Sequence, residues 1–398
     1  MQRLTYVVAF PPAPPTRGGR IRVANLIRQL SKSFRIQLIF VESDSQREEE
    51  SVRRTFGQCT EEIIAIPFNR KSKVFSAIFG MVSLLPYDAY CFSDRTLRSD
   101  INEYARKFRP DFLLVSRISM LQHIDATIAP VIYDQHDFSR QFWWSHARSS
   151  NIAKACWSFM NYLKVRRLEE RLYGIVSLVV SNSQKEKEQT KRVFPQAATF
   201  VVNNGVDTAH YYPEHRELLV GKPIRLILLG SFDQERNIDA FWFFYNEILP
   251  RISSVARNIE LVVLGRSPAK GIVKVGKYNE LVTVTGAVED ERDFMGDGIM
   301  IAPFRLGAGI KHKVLIGLAM GLPVIGTSNA FQGLSVVDGV HAMICDSPED
   351  FAERLMDLLD DTELQSALGV SGREYVVEHH SWSAVAASLA AELASLRE

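Results

Sequence analysis

The chain has 398 residues, of which 46% are hydrophobic and 23% are charged, and its formal net charge is +1. This length and composition allow two ordinary hydrophobic cores, so we expect a globular protein of two or three domains without extensive disorder. The longest apolar segment, residues 74–85, is far shorter than the roughly 20 residues that span a bilayer. Cys59, Cys91, Cys156 and Cys345 lack paired spacing, which argues against a zinc site or a disulfide framework.

The charges are unevenly distributed. Residues 1–200 hold 30 Lys+Arg and 19 Asp+Glu, and residues 201–398 hold 17 and 27, so the halves carry +11 and −10. A basic first half suits docking on anionic lipid and binding of a pyrophosphate-bearing acceptor, and attraction between the halves is the alternative. We favour docking because the basic run at residues 69–73 leads directly into the apolar segment 74–85, which could also be an ordinary core helix. Without a cleavage site after Met1, a cytoplasmic protein is expected.

Apolar runs of strand length alternate with helical patterns along the whole chain. Continuous Val, Ile and Leu runs are typical of parallel strands that are covered on both faces. The first set, predicted to form one sheet, comprises residues 4–10, 36–41, 62–66, 112–116, 131–133 and 177–181. The second set comprises residues 224–230, 259–264, 282–285, 299–302, 324–327 and 342–344. The polar, turn-rich stretches 203–207 and 213–223 predict a hinge, so the chain reads as two doubly wound domains.

Two features of the first half are candidates for ligand contacts. Gly18 and Gly19 follow the first strand through a proline-rich loop, and residues without a Cβ let backbone amides approach a phosphate closely. A plain turn is the alternative. His136 follows the run 131–133 at a strand end where ligands of such sheets bind, so it could orient a sugar or share charge with Asp134 or Asp137. No GxGxxG follows a first strand, which leaves a Rossmann oxidoreductase as a remote alternative.

The segment 301–327, IAPFRLGAGIKHKVLIGLAMGLPVIGT, is the most informative part of the sequence. It predicts a strand, a glycine loop at Gly307, Ala308 and Gly309, a helix that starts near Ile310, and a second strand. Gly321-Leu322-Pro323 is expected to end the helix. Because a helix start presents free N–H groups and a positive dipole end, this order predicts an anion site, and the predicted ligand is a phosphate ester.

These elements, in this order, resemble the retaining glycosyltransferases of family 4, which have the GT-B fold of two facing Rossmann-like domains. The resemblance spans nearly the whole chain, from YVVAFPPAPPTRGGRIRVANLIRQL and VIYDQHDFSRQ to LILLGSFDQERNIDAFWFF and the segment 301–327. It implies an acceptor-binding domain at residues 1–205 and a nucleotide-sugar-binding domain at residues 206–380. It further implies that residues 381–398 form a helix that packs back on the first domain.

The resemblance also implies roles for individual residues. Lys313 and Arg236 would stabilise the departing diphosphate, with Lys311 in reserve, and His136 would contact the transferred sugar. The remaining implied substrate contacts are Gly18, Gly19, Gly230, Ser231, Gly307, Ala308, Gly309, Ile310 and Ile316. The chain departs from the family pattern where many members have two glutamates, since Ala308 and Ile316 stand there, and Ser231 stands where an arginine is common.

The implied reaction moves a sugar from a nucleoside-diphosphate sugar to a glycan or lipid-linked acceptor, with retention and without a bound metal or nucleic acid. The implied setting is bacterial exopolysaccharide or cell-surface polysaccharide assembly, at the inner face of the cell membrane. Because Ala308 and Ile316 cannot accept hydrogen bonds from a sugar, a catalytically silent GT-B subunit of an assembly complex is the alternative. A sugar-nucleotide epimerase is a weaker one, since the chain shows few acid/base candidates.

Overall fold

The computed structural model of the protein describes residues 1–398 except 16–17, 43–45, 69–79, 137–138, 149–151, 214–222, 254–257, 297, 308 and 397–398. The chain divides into two compact units. Unit 1 comprises Met1–Asn203 and Ala386–Glu398, and unit 2 comprises Asn204–Val385. Each unit contains one sheet whose strands all pair in parallel. The predicted α/β class with two parallel sheets is thereby confirmed.

Unit 1 contains a seven-stranded sheet with the order β3-β2-β1-β4-β5-β6-β7. Its centre is dry, because every residue of β4, β5 and β6 is buried. The short strand β7 lies at one edge of the sheet. It was not predicted from the sequence, since it has only three half-buried residues. The strands are β1 Gln2–Val8, β2 Phe34–Glu42, β3 Glu62–Pro67, β4 Phe112–Ser116, β5 Val131–Gln135, β6 Leu178–Ser181 and β7 Thr199–Val201.

The helices of unit 1 connect these strands. Two of them start at side chains that accept a hydrogen bond from the first turn, Asp94 from the N–H of Thr96 and Ser183 from the N–H of Glu186, as good N-caps do. The described helices are Gly18–Leu30, Gln46–Phe56, Tyr87–Cys91, Arg95–Phe108, Ile118–Leu121, Ser139–His146, Ile152–Leu172 and Gln184–Val193, with a 3-10 turn at Tyr173–Ile175.

Unit 2 contains a six-stranded sheet with the order β10-β9-β8-β11-β12-β13. All six strands were predicted to within two residues at either end, because each is a short apolar run between turn residues. The strands are β8 Ile224–Leu229, β9 Ile259–Leu264, β10 Val282–Gly286, β11 Ile299–Ala302, β12 Val324–Gly326 and β13 Met343–Ile344. The helices are Glu235–Phe243, Leu249–Ser253, Lys270–Tyr278, Arg292–Met295, His312–Ala319, Pro348–Asp360 and Thr362–His380, with a π-helical turn at Phe244–Ile248. The last helix, Trp382–Ser395, begins in unit 2 and belongs to unit 1 from Ala386 onwards.

The helix His312–Ala319, hereafter the Lys313 helix, ends as its sequence predicts. Gly321 has a φ of +69°, in the left-handed region that glycine adopts at low cost. Its N–H donates to the carbonyl of Leu318, and the N–H of Leu322 donates to the carbonyl of Gly317. This pair of bonds is the Schellman arrangement, which satisfies the last carbonyls of a helix. The chain is therefore free to turn directly into β12.

Both sheets have a point at which the winding of the chain reverses. In unit 1 the connections leave β1 and β4 in opposite directions, and in unit 2 they leave β8 and β11 in opposite directions. Loops that follow such strands part from each other and leave a crevice at the carboxyl ends of the strands, which is where ligands of open α/β sheets bind. Ligand sites are therefore expected at the carboxyl ends of β1 and β4 and at those of β8 and β11, which we call the β1/β4 edge and the β8/β11 edge.

Among the described residues, no helix is long and apolar enough to cross a membrane. The basic run at residues 69–73 and most of the apolar segment 74–85 lie outside the described residues. Of that segment, residues 80–82 are helical. Its suggested membrane role therefore stays a prediction.

Candidate functional site

The Lys313 ammonium lies at the β8/β11 edge of unit 2. Its Nζ donates a hydrogen bond to Oδ1 of Asn237 and lies 4.2 Å from the centre of the Phe304 ring. A Cβ placed on Gly230 would come within 3.3 Å of the same Nζ. Gly230 follows β8 and Lys313 follows β11, so the structure brings together two residues that the sequence analysis had picked separately.

Asn237 is the residue that organises this contact, and the sequence analysis missed it. It is 2% exposed, and its amide group bridges the two sides of the site. Oδ1 accepts from Lys313, and Nδ2 donates to the carbonyl oxygen of Ser231 at 2.6 Å. The signal in the sequence is a polar residue on the otherwise apolar inner face of the helix Glu235–Phe243. A buried amide with both ends bonded fixes the position of the lysine.

The glycine loop before the Lys313 helix is braced by Lys311. Gly307 and Gly309 have φ values of +92° and +77°, so both positions require glycine-like conformations. The Nζ of Lys311 donates to their carbonyl oxygens at 3.1 and 2.9 Å. The N–H of Gly309 donates to Oε1 of Gln332 at 3.0 Å. Lys311 therefore holds the loop in place, and the Gly309 amide, expected to face an anion, is bonded within the chain.

The start of the helix also differs slightly from the expectation. It begins at His312 rather than near Ile310, with Lys311 at the N-cap and no side-chain cap bond. Ile310 is half-buried, and its Cγ1 would lie 3.0 Å from a Cβ on Gly333. Ala308 lies outside the described residues, so its predicted substrate contact stays a prediction.

Three cations meet at this loop. The Cδ of Arg236 would lie 3.3 Å from a Cβ on Gly307, so the arginine side chain runs along the loop. Burial, followed by repulsion from Arg236 and Lys311, lowers the pKa of Lys313 to about 7. Burial and Arg236 lower the pKa of Lys311 to about 8. Within the described part of the chain their hydrogen-bond partners are neutral, and none of the three forms an ion pair with a carboxylate. Clustered cations that lack a counter-charge in the protein are the electrostatic pattern of an anion site.

A fourth cation lies beside Ser231. The Oγ of Ser231 donates to Oδ1 of Asp233 at 2.8 Å and accepts from Nε of Arg266 at 3.0 Å. Arg266 comes from the loop after β9, where Gly265 approaches Gly230 so closely that a Cβ would lie 1.9 Å from the Gly230 oxygen. Ser231 stands where an arginine is common in the family pattern. The guanidinium of Arg266, which comes from another loop, lies beside Ser231.

Ile316 lies on the buried side of the Lys313 helix. It is 6% exposed and belongs to the hydrophobic core of unit 2, as do its neighbours Val314, Leu315 and Leu318. Its predicted contact with a nucleotide ribose remains a prediction. The surroundings are those of a packed core residue.

Unit 1 contains a cavity of about 420 Å³ at the carboxyl ends of its strands. Gly19 and His136 both line it, together with Phe10, Arg117 and Trp143. A Cβ on Gly19 would lie 3.3 Å from Nδ1 of His136, so these two sequence-predicted residues come together. Gly18 is the first residue of the helix Gly18–Leu30. Its lining combines apolar rings with the guanidinium groups of Arg20 and Arg117, the imidazole of His136 and the carboxylate of Asp88.

A buried carboxylate holds His136. Asp134 accepts from His136 Nε2 at 3.1 Å, from the hydroxyl of Tyr6 at 2.9 Å, and from Arg22 Nη2 at 2.8 Å. Burial by itself would raise the pKa of Asp134, but Arg22 and His136 more than offset it, so the pKa lies well below its usual range. Asp134 therefore stays ionised and fixes the imidazole ring of His136. It is one of the two carboxylate partners that the sequence suggested for this histidine. The other, Asp137, lies outside the described residues.

Arg22 and Tyr6 were missed by the sequence analysis. Arg22 is 2% exposed, and its Nη1 also donates to the carbonyl of Val202 at 2.8 Å. Its signal is a single arginine on the apolar side of the helix Gly18–Leu30. Because its carboxylate partner is 112 residues away in the chain, the pair cannot be recognised from local spacing.

The chain is similar to known glycosyltransferases in part of its sequence. Residues 223–361 match the family described as glycosyl transferases group 1. An uncharacterized glycosyltransferase of Methanocaldococcus jannaschii is 24% identical over 181 residues. That match spans about half of the relative, 48% of its length and 44% of this chain.

Three solved structures resemble the whole chain in fold. Anabaena HepE in complex with UDP and glucose has a TM-score of 0.62 at 13% identity and covers 99% of this chain and 100% of its own. Sucrose-phosphate synthase from Thermosynechococcus elongatus has a TM-score of 0.63 at 14% identity, and the match covers 100% of this chain and 99% of the synthase. The lipopolysaccharide outer core galactosyltransferase WaaB has a TM-score of 0.59 at 11% identity, and the match covers 99% of both chains. The chain therefore has the GT-B fold, and residues 223–361, in unit 2, are similar to the group 1 glycosyl transferases, as the sequence resemblance implied.

The lowered pKa of Lys313 predicts a specific pH dependence of stability. Between about 7 and the ordinary value of 10.5, the unfolded chain binds this proton and the folded chain does not. The free energy of unfolding should therefore rise with pH in this window, with a slope of at most about 1.4 kcal/mol per pH unit from this group. Lys313→Met should be more stable than wild type at pH 7, and the difference in the free energy of unfolding should be smaller at pH 9. Urea unfolding at both pH values measures this difference. An equal difference at both pH values would contradict the lowered pKa of Lys313.

The burial of Ile316 predicts that Ile316→Glu destabilises unit 2. A carboxylate in a dry core without a partner costs several kcal/mol, so the melting temperature should fall clearly. Ile316→Leu, which preserves volume, should change it little. If Ile316→Glu instead kept its melting temperature and bound nucleoside diphosphate more tightly, Ile316 would face the ribose as the family alignment suggests.

Proposed function

We propose that the protein is a glycosyltransferase that moves a sugar from a nucleoside-diphosphate sugar to a glycan or lipid-linked acceptor, with retention of configuration. One observation carries this proposal. Arg236, Lys311 and Lys313 meet at the β8/β11 edge of a group 1 glycosyl transferase domain without a carboxylate partner among the described residues. A diphosphate supplies the missing negative charge. A structural relative, HepE, has been solved with UDP and with UDP-glucose, which supports this choice of ligand.

In the proposed reaction, Lys313 and Arg236 act on the leaving group. As the bond between the sugar and the diphosphate breaks, negative charge grows on the phosphate oxygen that departs. Cations that are already in place stabilise this charge without reorganisation, which is the main way enzymes lower such barriers. Lys313 suits the role because Asn237 and the Phe304 ring hold it, and an arriving diphosphate would raise its lowered pKa and charge it fully.

Retention requires no nucleophile from the protein in this scheme. The acceptor hydroxyl attacks the anomeric carbon from the face that the diphosphate leaves, and the departing phosphate oxygen takes the hydroxyl proton. The resemblance to family 4 supports this route. The role of His136 as a contact of the transferred sugar is part of the same proposal, and its orientation by Asp134 supports a defined hydrogen-bonding geometry.

The cavity of unit 1 is the proposed site of the acceptor. Arg117 lines it, with its guanidinium 5.0 Å from the centre of the Phe10 ring. Arg117 has a φ of +69° and a ψ of 146°, a conformation that side-chain-bearing residues rarely adopt. Among the described residues it has no carboxylate partner. Strain of this kind at an unpaired guanidinium fits a ligand that brings a phosphate or pyrophosphate, with a sugar ring against the aromatic walls.

The leaving-group assignment predicts the kinetics of two variants. Lys313→Ala and Arg236→Ala should each lower kcat by roughly ten- to a thousandfold while the fold survives, as loss of charge stabilisation in the transition state does. Lys274→Ala removes an exposed lysine of the same unit and is the matched control. A thermal-shift screen with UDP, GDP, dTDP and their sugars selects the donor, and transfer and hydrolysis are then measured in EDTA because no bound metal is expected.

Near-normal turnover in both variants would remove Lys313 and Arg236 from the mechanism. Loss of activity in EDTA would show that a metal is required. A wild-type protein that binds nucleotide sugar but neither transfers nor hydrolyses it with any acceptor tested would favour the silent assembly subunit instead.

The acceptor assignment predicts opposite effects of Arg117→Gly on binding and on stability. Removing the guanidinium should raise KM for a phosphate-bearing acceptor by about ten- to a hundredfold, the scale of a lost charged hydrogen bond. Glycine relieves the backbone strain, so the melting temperature should rise. Arg35→Gly, in a strand with ordinary backbone angles, should lower the melting temperature and leave KM unchanged. An unchanged acceptor KM in Arg117→Gly would exclude this residue from the acceptor site.

A further inference from the structure

Unit 1 exposes an apolar surface that the proposed reaction does not use. Along the helix Ile152–Leu172, Ile152, Phe159 and Leu163 are 80%, 46% and 47% exposed. They are spaced by seven and four residues, so they lie in one stripe on the outer side of the helix. A stripe of large apolar side chains that faces water is costly unless another surface covers it.

The neighbouring helix extends this stripe. Trp144, on the helix Ser139–His146, is 40% exposed. Its ring centre lies 5.0 Å from that of Tyr162 and 6.4 Å from that of Phe159. The guanidinium of Arg148 lies 5.4 Å from the Trp144 ring centre. The surface is thus a cluster of aromatic rings with a cation at its edge.

The chain around residues 80–85 lies on the other side of the stripe. The Nζ of Lys164 donates to the carbonyl oxygens of Gly80 and Met81 at 2.6 and 2.9 Å, which ties this segment to the helix Ile152–Leu172. Met81, Val82 and Leu84 are 49%, 86% and 75% exposed. We refer to these three residues together with Trp144, Ile152, Phe159 and Leu163 as the apolar face.

The charge around the apolar face is mainly positive. Residues 139–172 contain seven lysines and arginines and two glutamates, Glu169 and Glu170, which form ion pairs with Arg140 and Arg166. A partner with a negatively charged surface over an apolar interior complements this pattern, and an anionic lipid bilayer has that structure. Tryptophan and tyrosine at the centre of the surface are the residues enriched at the boundary between headgroups and acyl chains.

We infer that the apolar face docks unit 1 on an anionic lipid bilayer. The ring of Trp144 and the side chains of Ile152, Phe159 and Leu163 enter the region between headgroups and acyl chains, and the surrounding lysines and arginines contact the lipid phosphates. The docking surface lies next to the cavity of unit 1, because Phe142, from the same helix as Trp144, lines that cavity and is 49% exposed. If the proposed function holds, a lipid-linked acceptor could enter the cavity from the bilayer; the docking itself does not depend on it.

The test uses the full chain and flotation with vesicles of phosphatidylglycerol and phosphatidylcholine in equal parts, compared with phosphatidylcholine alone. Ile152→Gln, Phe159→Gln and Leu163→Gln are combined in one variant. The matched control combines Val273→Gln, Val370→Gln and Val377→Gln, three exposed apolar residues on helices of unit 2. We expect the first variant to lose on the order of tenfold or more in partitioning to the mixed vesicles, and the control to bind like wild type. Salt should weaken wild-type binding, since it screens the basic residues.

A second readout keeps this test separate from the proposed function. Hydrolysis of the nucleotide sugar in solution should be the same in the triple variant and in wild type, because none of the three residues belongs to the proposed active site. Quenching of tryptophan emission by brominated lipid should fall when Trp144 is replaced by Phe. Equal flotation of wild type and triple variant would overturn the inference. So would a concentration-dependent dimer that the triple variant abolishes, because a second copy of the chain would then cover the face.

Discussion

The arrangement of unit 2 depends on buried positive charge that no carboxylate among the described residues compensates. Removing an ammonium from water costs several kcal/mol unless a partner compensates it, and burial is the first cause of the lowered pKa of both Lys311 and Lys313. The chain accepts this cost in two ways. Lys311 is bonded to the carbonyls of Gly307 and Gly309, and Lys313 to Asn237 and the Phe304 ring. These neutral partners hold the cations but leave their charge uncompensated, so the site attracts an anion.

In unit 1, by contrast, the buried charges are paired with each other. Asp134 and Arg22 are both almost fully buried, and each is the other's ion-pair partner. Here the charges compensate each other within the protein, and Asp134 in turn fixes His136 at the cavity wall. Removing one partner of such a pair leaves an uncompensated buried charge and costs about 3–5 kcal/mol. The contrast separates a positioning network, in which charges are paired, from a binding site, in which they are not.

The fold was largely predictable because local sequence determines it. Buried parallel strands read as short Val, Ile and Leu runs, and Gly321-Leu322-Pro323 ends a helix by backbone geometry alone. The site was less predictable, since its key contacts join distant residues. Asn237 and Lys313 are 76 residues apart, and Arg266 and Ser231 are 35 apart. The sequence also could not show that the Gly309 amide is bonded to Gln332 or that Lys311 braces the loop, because both depend on how the loop folds back on itself.

The central claim is that Lys313 is a buried, partly neutral lysine that a diphosphate charges on binding. Calorimetric titration at pH 8 with the nucleoside diphosphate that the thermal-shift screen selects, in buffers of different ionisation enthalpy, counts the protons taken up per nucleotide bound. With a free-enzyme pKa of about 7 for Lys313, we expect a net uptake that approaches one proton from this residue. Lys313→Arg, whose guanidinium is always charged, should bind the same nucleotide with correspondingly less proton uptake. Equal proton uptake by wild type and Lys313→Arg would contradict the claim, and so would a wild-type protein that binds none of the nucleoside diphosphates in the screen.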